Sequence, residues 1–172
     1  AAAAGNLADV PIIASGLGMD LCDYLDAATK KPKQEKFNRQ VLRDLNVLPL
    51  SRRYIQPGKN LPERGIYLLS SGMLVEKTPA WRIAANVLDH KENAVFFVGY
   101  CDPDTPGGQL LATKPGEDFL FAASHVKAKV KARVERFELS GHADREELLE
   151  FAVQTGARSI VLTHGDPPAR AW

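Results

Sequence analysis

The stretch Ser140-Gly141-His142-Ala143-Asp144 decides how the C-terminal part of this chain is expected to fold. It separates an extended segment, residues 126–139, from an amphipathic helix predicted over residues 144–155. A second histidine, His164, directly follows residues 159–163, which are predicted to form a short buried strand. If both strands end at the same sheet edge, the two imidazoles form a plausible site; the alternative is a pair of ordinary loop histidines.

The predicted helix after His142 has clear boundaries. Asp144 is a good N-cap, Glu147 completes a capping box, and Gly156 ends the helix. The helix start favours a phosphate near His142, because free amides and the helix dipole attract anions there. The residues expected to form its buried stripe are Leu148, Leu149, Ala152 and Val153.

Upstream of Ser140, apolar and charged residues alternate from Val126 to Glu135, which predicts one strand with a buried face and a solvated face. Phe137 and Leu139 stand at odd positions, whereas the apolar residues before them stand at even positions. A β-bulge near Glu135-Arg136 is therefore expected, so that all of them face the same side of the strand.

The first part of the chain alternates short apolar runs with helical patterns. Strands are predicted at residues 10–14, 66–70 and 94–100, with helices over Met19–Lys30 and after Thr78-Pro79. Residues 31–64 are expected to form loops around one helix near Phe37–Leu45. This order predicts an α/β protein with a mostly parallel sheet flanked by helices, followed by a small strand-helix-strand piece.

Composition is that of a globular protein, with 45% hydrophobic and 25% charged residues. Cys22 and Cys101 are far apart in the sequence and are predicted to be reduced thiols in a cytoplasmic protein.

Residues 30–53 hold eight basic residues against two acidic ones. Such a segment attracts a polyphosphate backbone, although a solvated surface explains it as well.

Four motifs in order resemble the β-CASP metallo-β-lactamase nucleases. The two histidine motifs, around His142 and His164, are similar to the last two motifs of that family. The strand-turn Ile66–Met73 is similar to its Ser-Gly-Met turn. The run Val95–Tyr100, with Thr105-Pro106-Gly107 after it, is similar to its Val-Gly-Tyr strand and Gly-rich loop.

The resemblance implies roles for individual residues. His142 matches the histidine that contacts the scissile phosphate and protonates the leaving oxygen, and His164 matches a zinc ligand. A histidine at position 164 implies RNA, because the DNA-directed members typically have Val there. The residues implied to contact the substrate are Ser140, Ser71, Gly72, Thr105 and Gly107.

The family also holds two zinc ions with a His-x-His-x-Asp-His segment, and this sequence contains no such segment. A catalytic zinc normally needs three protein ligands and a water. We therefore expect a fragment, inactive alone, whose partners are RNA and a missing N-terminal metallo-β-lactamase part of the same protein. Residues 1–115 would be the β-CASP domain and residues 116–172 a partial metallo-β-lactamase core.

Two other hypotheses stay open. The parent protein could be a non-catalytic β-CASP member that binds RNA or a partner. The chain could also be an unrelated α/β protein that binds a small molecule by a phosphate at its Gly-rich turns.

Overall fold

A computed structural model describes residues 10–15, 19–20, 24, 27, 47–51, 64–70, 72–139, 142–163 and 165. The chain divides into two compact units, Ala1–Glu138 and Leu139–Trp172, and each is described by itself. The predicted boundary between residues 115 and 116 falls inside the first unit. As a division between a β-CASP domain and a catalytic core it stays a prediction.

The elements of the first unit alternate between strands and helices. In chain order they are β1 (Ile12–Ser15), β2 (Val47–Pro49), β3 (Ile66–Leu69), α1 (Pro79–Val87), β4 (Ala94–Val98), α2 (Pro106–Ala112), β5 (Asp118–Phe121), a 3₁₀ turn (Ala122–Ser124), β6 (Val126–Lys129) and β7 (Arg133–Phe137). The second unit contains α3 (Arg145–Gln154). The described helices include none long and apolar enough to cross a membrane.

The first sheet is parallel, with strand order β2-β1-β3. The central strand is the most buried, as the apolar run Ile12-Ile13-Ala14 predicts. Strand β2 was not predicted, because it is only three residues long and ends in Pro49. Proline is tolerated there because β2 is an edge strand among the described elements.

Strands β4 and β7 form a second, parallel pair, and β5 and β6 form an antiparallel pair. The prediction of one strand over residues 126–139 is therefore wrong. The chain leaves β6 after Lys129 and enters a different sheet at Arg133, so the predicted bulge at Glu135 does not occur. Alternation survives the break, because Ala128, Val130 and Ala132 are all buried.

The break is fixed by backbone hydrogen bonds to the end of α1. The amides of Lys131 and Ala132 both donate to the carbonyl oxygen of Leu88, each at 2.9 Å. Leu88 itself is fully buried in the main core. The turn between β6 and β7 is thus attached directly to the C-terminal cap of α1.

Helix α1 begins as its sequence predicts. Thr78 is the N-cap, its side chain accepts a hydrogen bond from the Trp81 amide, and proline stands in the first turn. The Trp81 ring packs edge-on against Phe121, with centroids 5.5 Å apart. The helix therefore buries its apolar side against β5 and the residues that follow it.

The predicted α/β class with mostly parallel strands is confirmed. The difference lies in the number of sheets, because the described strands divide among three sheets instead of extending one. Of the helix predicted over Met19–Lys30, the described residues Met19, Asp20, Tyr24 and Ala27 are helical. The helix predicted near Phe37–Leu45 and most of the 30–53 basic segment lie outside the described residues.

Two leucines test where the core is. Leu110 on α2 is fully buried, whereas Leu120 on β5 is 54% exposed. We predict that Leu110→Ala lowers the free energy of unfolding by about 2–5 kcal/mol, because it leaves a cavity in the core. The matched variant Leu120→Ala should lower it by less than about 1 kcal/mol. Urea denaturation measures both, and equal losses would contradict this assignment of the core.

A second prediction concerns a surface ion pair beside the β6–β7 break. Lys131 Nζ lies 2.7 Å from Asp89 Oδ1. The hydrogen bond from Lys131 lowers the pKa of Asp89 below its usual 3.8, with smaller contributions from the charges of Lys131, His90 and Lys129. Because the folded pKa is depressed, this pair stabilises the fold above pH 3.8 and the contribution is lost as pH falls through the folded value.

We therefore expect Lys131→Met to raise the pKa of Asp89, as measured by carboxyl ¹³C titration. The control is Lys127→Met, which removes the lysine 3.5 Å from Asp118 and should leave Asp89 unchanged. An unchanged Asp89 titration in Lys131→Met would refute the assignment.

Candidate functional site

Two of the four motifs meet in the first unit. Thr105 is the N-cap of α2, and its side chain accepts a hydrogen bond from the Gly108 amide. The Gly107 amide donates to the carbonyl oxygen of Met73 at 2.9 Å. The Ser-Gly-Met turn and the Gly-rich stretch, distant in sequence, are therefore directly bonded.

The Gly-rich stretch was expected to be a loop, and the structure corrects this. Residues Pro106–Ala112 are helical, and the Thr105-Pro106 pair starts the helix as Thr78-Pro79 starts α1. The glycines serve close packing at that helix start. A Cβ on Gly107 would lie 2.9 Å from Met73 O and from Cys101 Sγ, and one on Gly108 would overlap the Asp102 carbonyl oxygen.

Gly72 differs from Gly107. It is exposed, and a Cβ added to it would meet nothing within 4 Å. Packing therefore accounts for Gly107 and not for Gly72. Of these two predicted substrate contacts, only Gly72 presents open space to a ligand. Ser71, the predicted contact beside it, lies outside the described residues.

The loop before α2 is held by its own turn chemistry. Asp102 Oδ1 accepts a hydrogen bond from the Asp104 amide at 2.9 Å, and Thr105 Oγ1 donates to the Asp102 carbonyl oxygen at 2.6 Å. These bonds give Asp102 a structural role in the turn. Within the described residues, no group of three or more His, Cys, Asp and Glu side chains could hold a metal ion.

In the second unit, the predicted start of α3 is confirmed. Asp144 Oδ1 accepts from the Glu147 amide, and Glu147 Oε2 accepts from the Asp144 amide, both at 2.9 Å. His142 lies two residues before this cap and is exposed. The end of the helix also follows the sequence, with Gly156 at a positive φ of 62°.

The preference for a phosphate at this helix start stays a prediction, and the charges of the first turn oppose it. The capping carboxylate of Asp144 already occupies the Glu147 amide, and Glu146 and Glu147 add acidic groups to the first turn. These three carboxylates outnumber the one cation of the turn, Arg145, and the net negative charge opposes the attraction of the helix dipole for a phosphate. A phosphate near His142 therefore needs more positive charge than Arg145 alone supplies.

The predicted burial in this unit is wrong. Leu148, Leu149 and Val153 are 47%, 53% and 72% exposed. Residues 159–163 are not a strand, and Val161 is 82% exposed. The helix has the predicted apolar face, but no described element of this unit covers that face. Residues 159–163 have no neighbouring strand among the described residues of this unit with which to form backbone hydrogen bonds.

The remaining predicted site residues, His164 and Ser140, lie outside the described residues. The expected meeting of the two imidazoles therefore stays a prediction. Sequence reasoning missed the Met73 carbonyl, because a backbone acceptor that joins two motifs leaves no signal in residue type.

The α/β fold is consistent with the metallo-β-lactamase class that the motifs predict, and comparison with known proteins specifies which kind. Residues 127–172 match the family described as the Zn-dependent metallo-hydrolase RNA specificity domain. That match covers α3 and both histidine motifs.

Three curated relatives are also similar to this chain. The chain is 34% identical over 106 residues to RNase aCSPSF2 of Saccharolobus solfataricus, which covers 61% of the chain and 20% of that protein. It is 25% identical over 175 residues to the Integrator complex subunit 11 homolog of Dictyostelium discoideum, which covers 94% of the chain and 23% of that protein. It is 30% identical over 136 residues to Endoribonuclease YSH1 of Candida glabrata, which covers 75% of the chain and 17% of that protein.

These matches confirm the family predicted from the motifs, the RNA-processing β-CASP type of metallo-β-lactamase nuclease. The chain spans between 17% and 23% of the length of these relatives.

The two glycines give a test of the junction between motifs. We predict that Gly107→Ala lowers the free energy of unfolding by about 1–3 kcal/mol, because the added methyl group overlaps the Met73 backbone. Gly72→Ala is the matched control, and it should leave stability unchanged or raise it by up to about 1 kcal/mol. Thermal unfolding of both variants measures the difference. A fully tolerated Gly107→Ala would show that the turn and α2 are not packed together.

Proposed function

We propose that the chain is part of a zinc-dependent RNA-processing nuclease that hydrolyses RNA phosphodiester bonds. The observation that supports this most directly is the match of residues 127–172 to a Zn-dependent RNA specificity domain, because it contains both His142 and His164. A cytoplasmic location is part of the proposal and follows from the expected reduced thiols.

His142 is proposed as the catalytic residue. It is exposed ahead of the rigid, doubly capped start of α3, so its imidazole can reach a substrate phosphate. In hydrolysis a water oxygen bonds to phosphorus and loses a proton, the P–O bond to the leaving nucleoside breaks, and the leaving oxygen needs a proton. A protonated imidazole can donate that proton, which is the role of a general acid.

Zinc is proposed for the longer protein, with His164 as one ligand. The described residues do not fit a zinc site by themselves, because they bring together no suitable group of ligands. The other ligands would come from an N-terminal metallo-β-lactamase part of the same protein. We therefore propose that this chain, taken alone, neither cleaves RNA nor retains zinc tightly.

The first unit is proposed to carry part of the RNA groove. Gly72 is exposed next to a turn that is bonded to the start of α2, and Thr105 caps that helix. Ser71 and Ser140 are proposed as further contacts to the substrate. In this proposal Gly107 acts indirectly, because its packing against Met73 holds the turn in place.

The proposed domain division assigns residues 1–115 to a β-CASP domain and residues 116–172 to the catalytic core. A non-catalytic β-CASP protein that binds RNA is the second candidate. The zinc ligands of the longer protein decide between the two candidates, because a catalytic zinc needs three of them.

The test uses the full-length protein that contains this chain. We predict that His164→Ala lowers the bound zinc, because it removes a direct ligand. His142→Ala should retain zinc and lower the rate of RNA cleavage by about 10²–10⁴-fold, the usual effect of losing a positioned acid. His90→Ala is the control, because His90 is exposed and its Nδ1 lies 3.5 Å from Glu92 Oε1. This variant should change neither the bound zinc nor the cleavage rate.

Two results would contradict these proposed roles. Loss of zinc in His142→Ala with zinc retained in His164→Ala would reverse the two roles. A wild-type protein that binds RNA but holds no zinc and cleaves nothing would favour the non-catalytic candidate.

A further inference from the structure

The parallel pair of strands β4 and β7 brings the Val-Gly-Tyr motif beside the segment that leads to the Ser-Gly-His motif. Val98 ends β4 and is paired with Phe137, the last residue of β7. Gly99 directly follows Val98, and the Ser-Gly-His motif begins three residues after Phe137. Both carboxyl ends lie at one edge of the pair, where functional residues of α/β proteins are usually placed.

One hydrogen bond continues the pairing beyond the end of β4. The Gly99 amide donates to the Phe137 carbonyl oxygen at 2.8 Å. Gly99 is buried and has a φ of 91°. A residue with a Cβ rarely adopts a positive φ of this size, whereas glycine adopts it freely. The hydrogen bond to Phe137 in this geometry therefore depends on a glycine at position 99.

The segment that contains His142 is short and has a fixed residue on each side. Before it, Phe137 is held by Gly99, and after it, Asp144 is held by reciprocal capping bonds with Glu147. His142 follows Phe137 by five residues, a length of chain that spans at most about 18 Å. Few residues are thus present to absorb a displacement of the Phe137 backbone.

We propose that Gly99 is a positioning residue for His142. Its amide fixes the point from which the chain continues into the Ser-Gly-His motif, so it acts through the backbone and not on the substrate. This inference rests on the proposed function, because it needs His142 to protonate the leaving oxygen. A displacement of about 1 Å at a reacting group can cost about 10²-fold in rate.

The test compares two glycines in the full-length protein that contains this chain. Gly99→Ala should lower kcat for RNA cleavage about 10–100-fold and change KM by less than about twofold, because it displaces the acid and leaves the RNA contacts in place. Gly116→Ala is the matched control. Gly116 has a φ of 87°, and its amide donates to the Val130 carbonyl oxygen at 2.7 Å, outside the four motifs. It should change neither kcat nor KM, although both variants should lower thermal stability.

A second substrate separates displacement of the acid from loss of folded protein. In RNA with sulfur in place of the leaving oxygen, a water oxygen bonds to phosphorus and loses a proton, the P–S bond breaks, and sulfur leaves with the electron pair as a thiolate. That thiolate needs no proton, because a thiol, with an ordinary pKa of about 8.5, is a far stronger acid than a ribose hydroxyl. The same folded molecules cleave both substrates, so the ratio of the two rates does not depend on the folded fraction.

We expect Gly99→Ala to lower the rate with the leaving oxygen about 10–100-fold and the rate with the leaving sulfur by less than about threefold. His142→Ala should show the same selectivity with a larger loss. The inference is overturned if Gly99→Ala lowers both rates equally, which is a structural effect, or lowers neither. It is also overturned if Gly116→Ala reproduces the selective loss.

Failure of the proposed function gives a different result. A wild-type protein that cleaves no RNA contradicts it, as does a His142→Ala variant that loses both rates equally or neither. Such a result removes the acid role of His142 and the inference about Gly99 together. A selective loss in His142→Ala without one in Gly99→Ala contradicts the inference alone.

Discussion

The carbonyl oxygen of Leu88 is the acceptor on which the arrangement of the first unit depends. It receives the amides of Lys131 and Ala132 at the end of α1. This pair of bonds divides one alternating segment into β6 and β7, which join different sheets. Since β7 then pairs in parallel with β4, the segment leading to the Ser-Gly-His motif is fixed by the core. A backbone contact between residues distant in sequence thus determines which strands β6 and β7 join.

Helix starts could be predicted from the sequence, and close backbone contacts could not. Thr78-Pro79 and Thr105-Pro106 are equivalent start signals, and both begin helices. The second was expected to be a loop because it resembles the family's Gly-rich loop. The two glycines there instead leave room for the backbone of Met73 and Asp102. Residue type shows that a glycine is present, but the neighbour that requires it comes from another part of the chain.

The second unit shows what periodicity does and does not predict. The caps of α3 are formed by residues within one turn, so Asp144 and Glu147 could be predicted in full. Burial of Leu148 and Leu149 depends on a covering element, and none of the described residues of this unit provides one. An amphipathic pattern therefore predicts which face of a helix is apolar. Whether that face is covered depends on other segments.

The charges around His142 constrain how the proposed site can work. The cap and first turn of α3 place Asp144, Glu146 and Glu147 close to it in sequence. These carboxylates stabilise the helix through its dipole, and they also repel an approaching phosphate. The one cation of this turn, Arg145, does not balance the three carboxylates, so RNA needs further positive charge from other parts of the protein. In the proposed nuclease, zinc ions and basic side chains elsewhere would compensate for this charge, so α3 positions the histidine while other parts of the protein attract the RNA.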